Sequence, residues 1–300
     1  MSNCDFIDAF VAKVREIFKT KEFIPLHAPR FAGQEKELIL ETLESTFVSS
    51  VGECVDKFEQ DIARYTGAEF AVAVSSGTAA LHTALHVVGV ALDNEVITTP
   101  LTFVATCNAI SYCGARPVFV DVDLDTLGLS PQSLAQFLEQ HAEIRQDGLC
   151  WNRFSGKVIR ACVPVHNLGH PARAEEIAKV CGRYNIAVIE DAAESLGSLT
   201  DAEHTGRVGL MGVLSFNGNK IITTGGGGAL ITDNAVLAKR LKHLTTTAKT
   251  PHPWLFQHDE VGFNYRLPNL NAALGLAQMA QLAAFVAKKR DLAKYYSEWL

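Results

Sequence analysis

The sequence lacks the features that mark membrane, secreted and polyanion-binding proteins. No stretch of its 300 residues reaches the roughly 18 consecutive apolar positions of a membrane-spanning helix. The first residues contain no basic segment followed by an apolar block, so no secretory signal is expected. Charged residues make up 20% of the chain and the net charge is -6, which argues against nucleic acid or an anionic membrane as a partner.

Paired cysteines are missing as well. The seven cysteines are odd in number and never spaced as C-x-x-C; they stand at positions 4, 54, 107, 113, 150, 162 and 181. A disulfide framework or a zinc site would need regular pairs. We therefore expect reduced thiols, no bound metal and a cytoplasmic location.

The sequence does contain short apolar runs that alternate with helical patterns. Seven runs rich in β-branched residues predict strands at 70–74, 95–99, 117–121, 158–165, 186–190, 212–216 and 229–232. Helical patterns lie between them at 78–88, 102–112, 131–144 and 173–184. Strands that are apolar throughout and alternate with helices form mostly parallel sheets covered on both faces, so the fold class is α/β.

The flanking segments are also helical in pattern. Helices are predicted at 5–18, 33–46 and 53–65, with an extended arm at 24–29 and a break at 49–52. After residue 233 a helix runs to about 244, a loop with two prolines follows, and a helical pattern runs from about 269 to the end. The least periodic segment, 146–156, is predicted as a surface loop.

One lysine stands between a strand and a run of glycines. Lys220 lies in SFNGNKIITTGGGG (215–228), directly after the strand at 212–216. A lysine on a short turn between two strands can form a Schiff base if it is partly shielded from water. The alternative is a solvated lysine in a hairpin loop. The glycines do not form a dinucleotide fingerprint, because they follow the lysine and lead into a strand.

Two further strand ends carry polar groups. In an open α/β sheet, ligands bind at the carboxyl ends of the strands. SSGTAAL (75–81) places hydroxyls and a glycine at a helix start, as a phosphate cradle or a plain N-cap would. Asp191, in DAAE (191–194), can pair with a protonated ring nitrogen or cap a helix. A phosphate cradle, a carboxylate and a lysine in this order are the parts expected of a pyridoxal phosphate (PLP) site.

Five motifs together resemble one family. They are SSGTAAL (75–81), DAAE (191–194), SF (215–216) with Lys220, TTG (223–225) and GFNYR (262–266). From about residue 24 to residue 300, the sequence resembles the sugar-nucleotide aminotransferases of the DegT/DnrJ/EryC1/StrS group. The resemblance implies the PLP-dependent transferase fold of the aspartate aminotransferase type I, with a mostly parallel, mixed seven-stranded sheet. It also implies a large PLP-binding domain over 1–245, with an N-terminal helix and arm over 1–32, and the start of a small domain over 246–300.

The resemblance implies roles for particular residues. Lys220 would hold PLP as a Schiff base and move a proton, and Asp191 would keep the pyridine nitrogen protonated. Phe103 would stack on the ring, and Glu194 would lie near the ring hydroxyl. The remaining implied roles are the phosphate contacts of Gly77, Thr78 and Ser215, a phosphate contact of Asn264 from the neighbouring subunit, and substrate contacts of His166 and Arg266. The alternatives are helix-face packing for Phe103 and a structural role for His166.

The implied activity is transfer of an amino group from L-glutamate to a nucleotide-linked keto-6-deoxy sugar, for surface-glycan precursors, by a homodimer with shared active sites. Amination is expected at C4, with C3 left open. PLHAPRF (25–31) and FVSSVG (47–52) are similar to the branch acting on 4-keto-6-deoxy sugars of the bacillosamine and legionaminic acid pathways. One alternative is a PLP-dependent sugar dehydratase or isomerase, against which Lys220 argues because such relatives have histidine there. The other is a non-catalytic scaffold protein.

The sequence departs from the family pattern at two places. Gly226 stands where many members have glutamate, which leaves the choice of substrate open. The chain ends inside a helical pattern without a cap or a glycine stop. We therefore expect that most of the small C-terminal domain is missing.

Overall fold

A computed structural model describes residues 3–49 and 52–300. Two residues of the motif at 47–52, Ser50 and Val51, lie outside the described residues. The helices are α1 (Asn3–Phe18), α2 (Glu35–Glu44), α3 (Glu53–Thr66), α4 (Gly77–Val87), α5 (Val104–Tyr112), α6 (Pro131–His141), α7 (Ala174–Gly182), α8 (Ala235–Thr245), α9 (Asn269–Met279) and α10 (Leu282–Trp299). The strands are β1 (Phe70–Val74), β2 (Glu95–Thr98), β3 (Arg116–Phe119), β4 (Ala142–Ile144), β5 (Cys150–Asn152), β6 (Ile159–Val163), β7 (Ala187–Asp191), β8 (Leu199–Thr200), β9 (Glu203–His204), β10 (Met211–Ser215) and β11 (Gly228–Thr232).

The seven predicted strands form one sheet in the order β1-β11-β10-β7-β6-β2-β3. Strands β10, β7, β6, β2 and β3 pair in parallel, whereas β11 runs antiparallel to both β1 and β10. The predicted α/β fold with a mostly parallel, mixed sheet is confirmed. Because β10 and β11 are antiparallel neighbours, the segment between them, which contains Lys220, starts at the carboxyl edge of the parallel strands.

Helices cover both faces of the sheet. Neighbouring residues of one strand point to opposite faces of the sheet, and both faces are buried here. On one face Val213 packs under α4, α5 and α8, and on the other Leu214 packs under α3 and α9. A third cluster joins α6 and α7 to the β2, β6 and β7 side of that second face. These buried faces fix the register of every strand, since a slip by one residue would exchange the two faces.

Two helical patterns in the sequence are broken in the structure. The predicted helix 131–144 ends at His141, and Ala142–Ile144 forms strand β4 instead. This strand pairs with β5 inside the segment predicted as a loop, and Arg145 stacks 4.3 Å from the Trp151 ring centroid. Cross-strand pairing therefore overrides the helical periodicity of a three-residue stretch.

The pattern from 269 to the end forms two helices, α9 and α10, bent by 58° with respect to each other. The break lets Gln278 and Gln281 both donate to the Glu35 carboxylate, at 2.7 and 2.6 Å. No single helix of the described residues is long and apolar enough to cross a membrane, although this bent pair meets that test when taken together. The domain boundary between residues 245 and 246 stays a prediction.

Helix α1 packs along α10 through aromatic side chains. Phe10 lies 5.8 Å from the Trp299 ring and 6.3 Å from the Tyr296 ring, measured between centroids. Lys13 Nζ lies 5.0 Å from the centre of the Tyr295 ring. The N-terminal helix is thus tied to the last helix of the chain.

Candidate active site

A cavity of about 200 Å³ opens at the carboxyl ends of β7, β10 and β1, between α4 and α5. Eight of the predicted site residues line it: Gly77, Thr78, Phe103, His166, Asp191, Glu194, Ser215 and Lys220. These residues come from five separate segments, and the sheet topology alone brings them together. The position agrees with the rule that ligands of open α/β sheets bind beyond the carboxyl ends of the strands.

Lys220 points into this cavity and not into solvent. Its backbone N–H donates to the Asn217 carbonyl at 3.0 Å, which closes the turn after β10. Its side chain is 12% exposed, and Nζ lies 2.9 Å from Glu194 Oε1. The other carboxylate oxygen of Glu194 accepts the Leu168 N–H at 2.9 Å, so Glu194 is held from both sides. The hairpin-loop alternative, in which the lysine is solvated, does not fit this arrangement.

Asp191 is the last residue of β7 and is 6% exposed. Thr106 Oγ1 donates to Oδ2 at 2.7 Å, and the Ala193 N–H donates to Oδ1 at 3.2 Å. Burial raises the pKa of this carboxyl group, while these two hydrogen bonds and the charge of Lys220 oppose the rise. A buried carboxylate of this kind gains most from a cation placed against it in the cavity.

The start of α4 provides an anion site. Ser76 caps the helix by accepting the Ala79 N–H at 3.1 Å, which leaves the other first-turn N–H groups directed at the cavity. A Cβ on Gly77 would lie 2.9 Å from the Ser215 Cβ, so only glycine lets β10 approach this closely. In the part of the chain that the structure describes, no protein group accepts or donates a hydrogen bond at the hydroxyls of Thr78 and Ser215. Free hydroxyls and N–H groups at a helix N-terminus are the donors that a phosphate needs.

Phe103 supplies an aromatic face to the cavity. The predicted helix 102–112 begins only at Val104, so Phe103 is its N-cap in extended conformation, with its side chain 70% exposed. It does not pack on a helix face, which was the alternative for this residue. An exposed ring at the cavity wall is available to stack on a planar ligand.

His166 lines the cavity, but both of its ring nitrogens are occupied. Nδ1 accepts the Ala172 N–H at 3.0 Å, and Nε2 donates to Glu190 Oε2 at 2.9 Å. The side chain is 1% exposed. This geometry favours the structural alternative for His166 over the predicted substrate contact.

Asn264 and Arg266 do not line the cavity of their own chain. Arg266 forms a β-bridge with Val74 at the end of β1, and its Nη2 donates to Asn264 Oδ1 at 3.2 Å. The pair therefore lies at the edge of the sheet beside the anion site. The prediction that Asn264 serves the neighbouring subunit is not tested by a single chain.

Sequence reasoning missed two residues that support the site. Thr106 holds Asp191, and nothing distinguishes it from other threonines near a helix start. Glu190 is fully buried and accepts hydrogen bonds from His166, the Gly206 N–H and the Gly209 N–H. Burial raises its pKa, but these hydrogen bonds outweigh burial and hold the pKa below its usual value. Glu190 and Asp191 are consecutive on β7, so their side chains face opposite sides of the sheet. The alternation along the strand would have allowed this difference to be predicted from the sequence.

One group of possible metal ligands occurs among the described residues, away from the cavity: His243, Asp259 and Glu260. Arg240 already pairs with the Glu260 carboxylate, and His243 Nε2 lies 2.7 Å from Asp259 Oδ1. The cluster is thus explained by its internal ion pairs, and the expectation of no metal stays a prediction.

The cavity fits PLP at each of its functional parts. The donors at the start of α4 suit a phosphate, the buried Asp191 suits a protonated ring nitrogen, Phe103 suits a planar ring, and Lys220 Nζ suits covalent attachment. The fold and the site together are thus those of an active-site cleft of a PLP-dependent aminotransferase.

Comparison with known proteins agrees. The sequence profile described as the DegT/DnrJ/EryC1/StrS aminotransferase family matches residues 29–300, and the chain therefore belongs to this family. It is a PLP-dependent aminotransferase, and both the predicted family and the predicted cofactor are confirmed.

Individual relatives are similar over most of the chain. It is 38% identical over 277 residues to a GDP-perosamine synthase of Escherichia coli, covering 92% of this chain and 71% of the relative. It is 36% identical to a GDP-perosamine synthase of Caulobacter vibrioides, covering 92% and 70%. Among solved structures, Helicobacter pylori PseC, an aminotransferase involved in the biosynthesis of pseudoaminic acid, superposes with a TM-score of 0.77 at 26% identity, covering 87% of this chain and 66% of PseC.

Proposed function

We propose that this protein transfers an amino group from L-glutamate to the C4 keto carbon of a nucleotide-linked keto-6-deoxy sugar, as a step towards surface-glycan precursors. Amination of a sugar is supported by the family and by the names of its relatives. The observation that carries the proposal is the convergence of Lys220, Asp191 and the anion site on one cavity. We also propose that it acts in the cytoplasm.

The residues of the cavity can each perform one part of this reaction. Bound PLP would supply an electron sink that stabilises negative charge on the carbon bonded to the nitrogen of the amino compound. Lys220 Nζ is the cavity's amine, and it is placed both to attach the cofactor and to carry a proton. Glu194 accepts a hydrogen bond from Nζ at 2.9 Å and orients it. Asp191 favours the protonated ring nitrogen, and Thr106 keeps the Asp191 carboxylate oriented.

A GDP-linked sugar is the nucleotide sugar that we propose first. Three of the relatives are named GDP-perosamine synthase, at 38%, 36% and 32% identity. The narrower assignment to the bacillosamine and legionaminic acid branch stays a prediction. A test of substrates should therefore include GDP-linked, UDP-linked and TDP-linked keto sugars.

We also infer a homodimer with shared active sites. Asn264 and Arg266 lie at the sheet edge beside β1 but outside the cavity of their own chain. A two-fold axis next to this edge would place the partner's copies of these side chains at the anion site, because a two-fold interface is reciprocal.

The two alternatives predict different outcomes. A dehydratase or isomerase on this scaffold would use the cofactor without nitrogen transfer and would have histidine at position 220. This chain has a lysine there, paired with Glu194 in the cavity. A non-catalytic scaffold would not need a lysine that is 12% exposed and lines this cavity. Both observations favour the aminotransferase.

The decisive experiment uses 15N-labelled L-glutamate with a panel of nucleotide-linked keto sugars. We expect mass spectrometry to show one sugar product that carries the label, and NMR to place the nitrogen at C4. Lys220→Ala should abolish the product. Lys157→Ala is the matched control, because Lys157 also forms an ion pair, with Asp93, but lies outside the cavity. Labelled product from the Lys220→Ala variant, or unlabelled dehydrated product from the wild type, would refute the proposal.

A further inference from the structure

Four consecutive glycines, 225–228, connect the Lys220 turn to β11. Three of them are required by the fold. Gly225 has φ +80°, a left-handed conformation that favours glycine. A Cβ on Gly227 would lie 2.2 Å from Thr224 Oγ1, and a Cβ on Gly228 would lie 2.5 Å from the Ser76 carbonyl carbon. At these three positions a side chain would strain or displace the backbone.

Gly226 is different, because neither its backbone nor its surroundings require glycine. Its φ lies outside the left-handed region, and a Cβ built on it would meet no atom within 4 Å. The Gly226 carbonyl accepts hydrogen bonds from Thr224 Oγ1 at 3.0 Å and from Asn271 Nδ2 at 3.3 Å, and these bonds hold the backbone in place at this position. Folding therefore does not explain why this position has no side chain.

The position of Gly226 in the cleft suggests a reason. It lines the same cavity as Lys220, Asn217 and Asn219. Asn217 Nδ2 donates to Asn219 Oδ1 at 3.2 Å, which orients the two amides and leaves Asn217 Oδ1 and Asn219 Nδ2 to face other partners. The groups that fit the cofactor lie elsewhere in the cavity, at the start of α4, at Asp191 and at Phe103.

We propose that Gly226 is a specificity-determining residue: the missing side chain leaves space beside Lys220 for the sugar ring of the amino acceptor, whose hydroxyls the amides of Asn217 and Asn219 bind. The inference rests on the proposed function, since it assumes a glycosyl acceptor larger than glutamate. A side chain at position 226 would occupy the space of the sugar ring, but it would leave the binding of the smaller amino donor, L-glutamate, unchanged.

The two half-reactions of the enzyme separate these effects. Gly226→Val should leave cofactor occupancy and the cofactor absorbance change on addition of L-glutamate within about twofold of the wild type. Reaction of the aminated enzyme with the keto sugar should lose about 10- to 200-fold or more in kcat/KM, because a single misplaced methylene group in a pocket already has an effect in this range. The loss should appear mainly in KM, because the reacting groups are unchanged.

Gly218→Val is the matched control. Gly218 lies in the same turn, a Cβ on it would also meet nothing within 4 Å, and it does not line the cavity. Its variant should match the wild type in both half-reactions. A measurement that does not depend on turnover is calorimetric binding of GDP-mannose and of GDP to the apoprotein. Gly226→Val should weaken binding of GDP-mannose by about 10-fold or more and leave GDP binding unchanged.

Failure of the proposed function and failure of the inference about Gly226 would give different experimental results. If the wild type reacts with glutamate but aminates no keto sugar, the proposed function is wrong, and the inference falls with it. If the wild type aminates a sugar and Gly226→Val does so equally well, the inference alone is wrong. Loss of the glutamate half-reaction or of bound cofactor in Gly226→Val would assign Gly226 to the cofactor site instead. A change of oligomeric state in that variant, measured by light scattering, would assign it to packing between subunits and would also overturn the inference.

Discussion

The hydrogen bond from Thr106 to Asp191 should stabilise the apoprotein more strongly when Asp191 carries its charge than when it is protonated. Asp191 is 6% exposed, and Thr106 Oγ1 donates to Oδ2 at 2.7 Å. A hydrogen bond to a charged group contributes about 1.5–3 kcal/mol, and one between neutral groups about 0.5–1.5 kcal/mol. Thr106→Val keeps the shape of the side chain and removes the donor. We expect it to lower the free energy of unfolding by about 1.5–3 kcal/mol in the wild type and by roughly 1 kcal/mol less in an Asp191→Asn background.

The coupling between Thr106 and Asp191 should increase with pH. Burial raises the folded-state pKa of Asp191 above its usual value of 3.8, so the stability that this group contributes is present at low pH and is lost as the pH rises through the folded-state pKa. Thr106 limits that loss by stabilising the carboxylate. The coupling between the two residues should therefore be largest at pH 8 and should shrink as the pH is lowered towards 3.8.

Urea unfolding of the apoprotein measures the coupling in the wild type, both single variants and the double variant. Thr83→Val is the matched control, because the buried Thr83 hydroxyl donates to the Ala79 carbonyl at 2.7 Å and does not contact Asp191. Its effect should be the same with aspartate or asparagine at 191. An equal effect of Thr106→Val in both backgrounds would show that Thr106 does not stabilise the carboxylate.

Three other predictions concern groups around the site and at the N-terminus. Glu190→Gln should lower the unfolding free energy at pH 7 by about 3 kcal/mol, because the amide replaces a charged acceptor of two backbone N–H groups. Since the pKa of Glu190 is lowered, the wild type alone should lose this stability as the pH falls below 4.5, and parallel acid unfolding curves of the two proteins would contradict the prediction. Mixing Lys220→Ala chains with Asn264→Ala chains should restore activity to about a quarter of wild type if the partner subunit supplies Asn264, and no recovery after subunit exchange confirmed by mass would place Asn264 outside the shared site. Phe10→Ala should change the fluorescence of Trp299, speed hydrogen exchange in α1 and cost about 1 kcal/mol locally, and unchanged exchange would show that the aromatic contacts do not hold α1.

The main sheet could be predicted because its strands are apolar throughout. Strand β1, for example, begins and ends where its pattern does, at Phe70 and Val74. Strand β4 could not, because three residues show no usable period and lie at the end of a helical pattern that starts with Pro131. Its partner strand, β5, is equally short, so only the paired geometry reveals either of them.

The site was predictable where a residue follows a strand. Lys220 and Asp191 could be predicted to lie in one cavity because parallel strands bring their carboxyl ends to one edge, a rule that needs no knowledge of contacts. His166 also lines the cavity, yet its ring is held by Glu190 and by the Ala172 N–H, and such partners follow from packing alone. The family pattern already distinguishes Gly226 from its three neighbours, but only the structure shows that a side chain at this position would meet no other atom.

The central claim is that Lys220 is the residue that attaches PLP in this cavity. Borohydride reduction of the cofactor-loaded protein, followed by proteolysis and peptide mass spectrometry, tests it directly. The account predicts one pyridoxyl group per chain, on the peptide that contains Lys220, and no label on that peptide or any other in Lys220→Ala. A pyridoxyl group on another lysine of the wild type, or labelling that persists in Lys220→Ala, would contradict it.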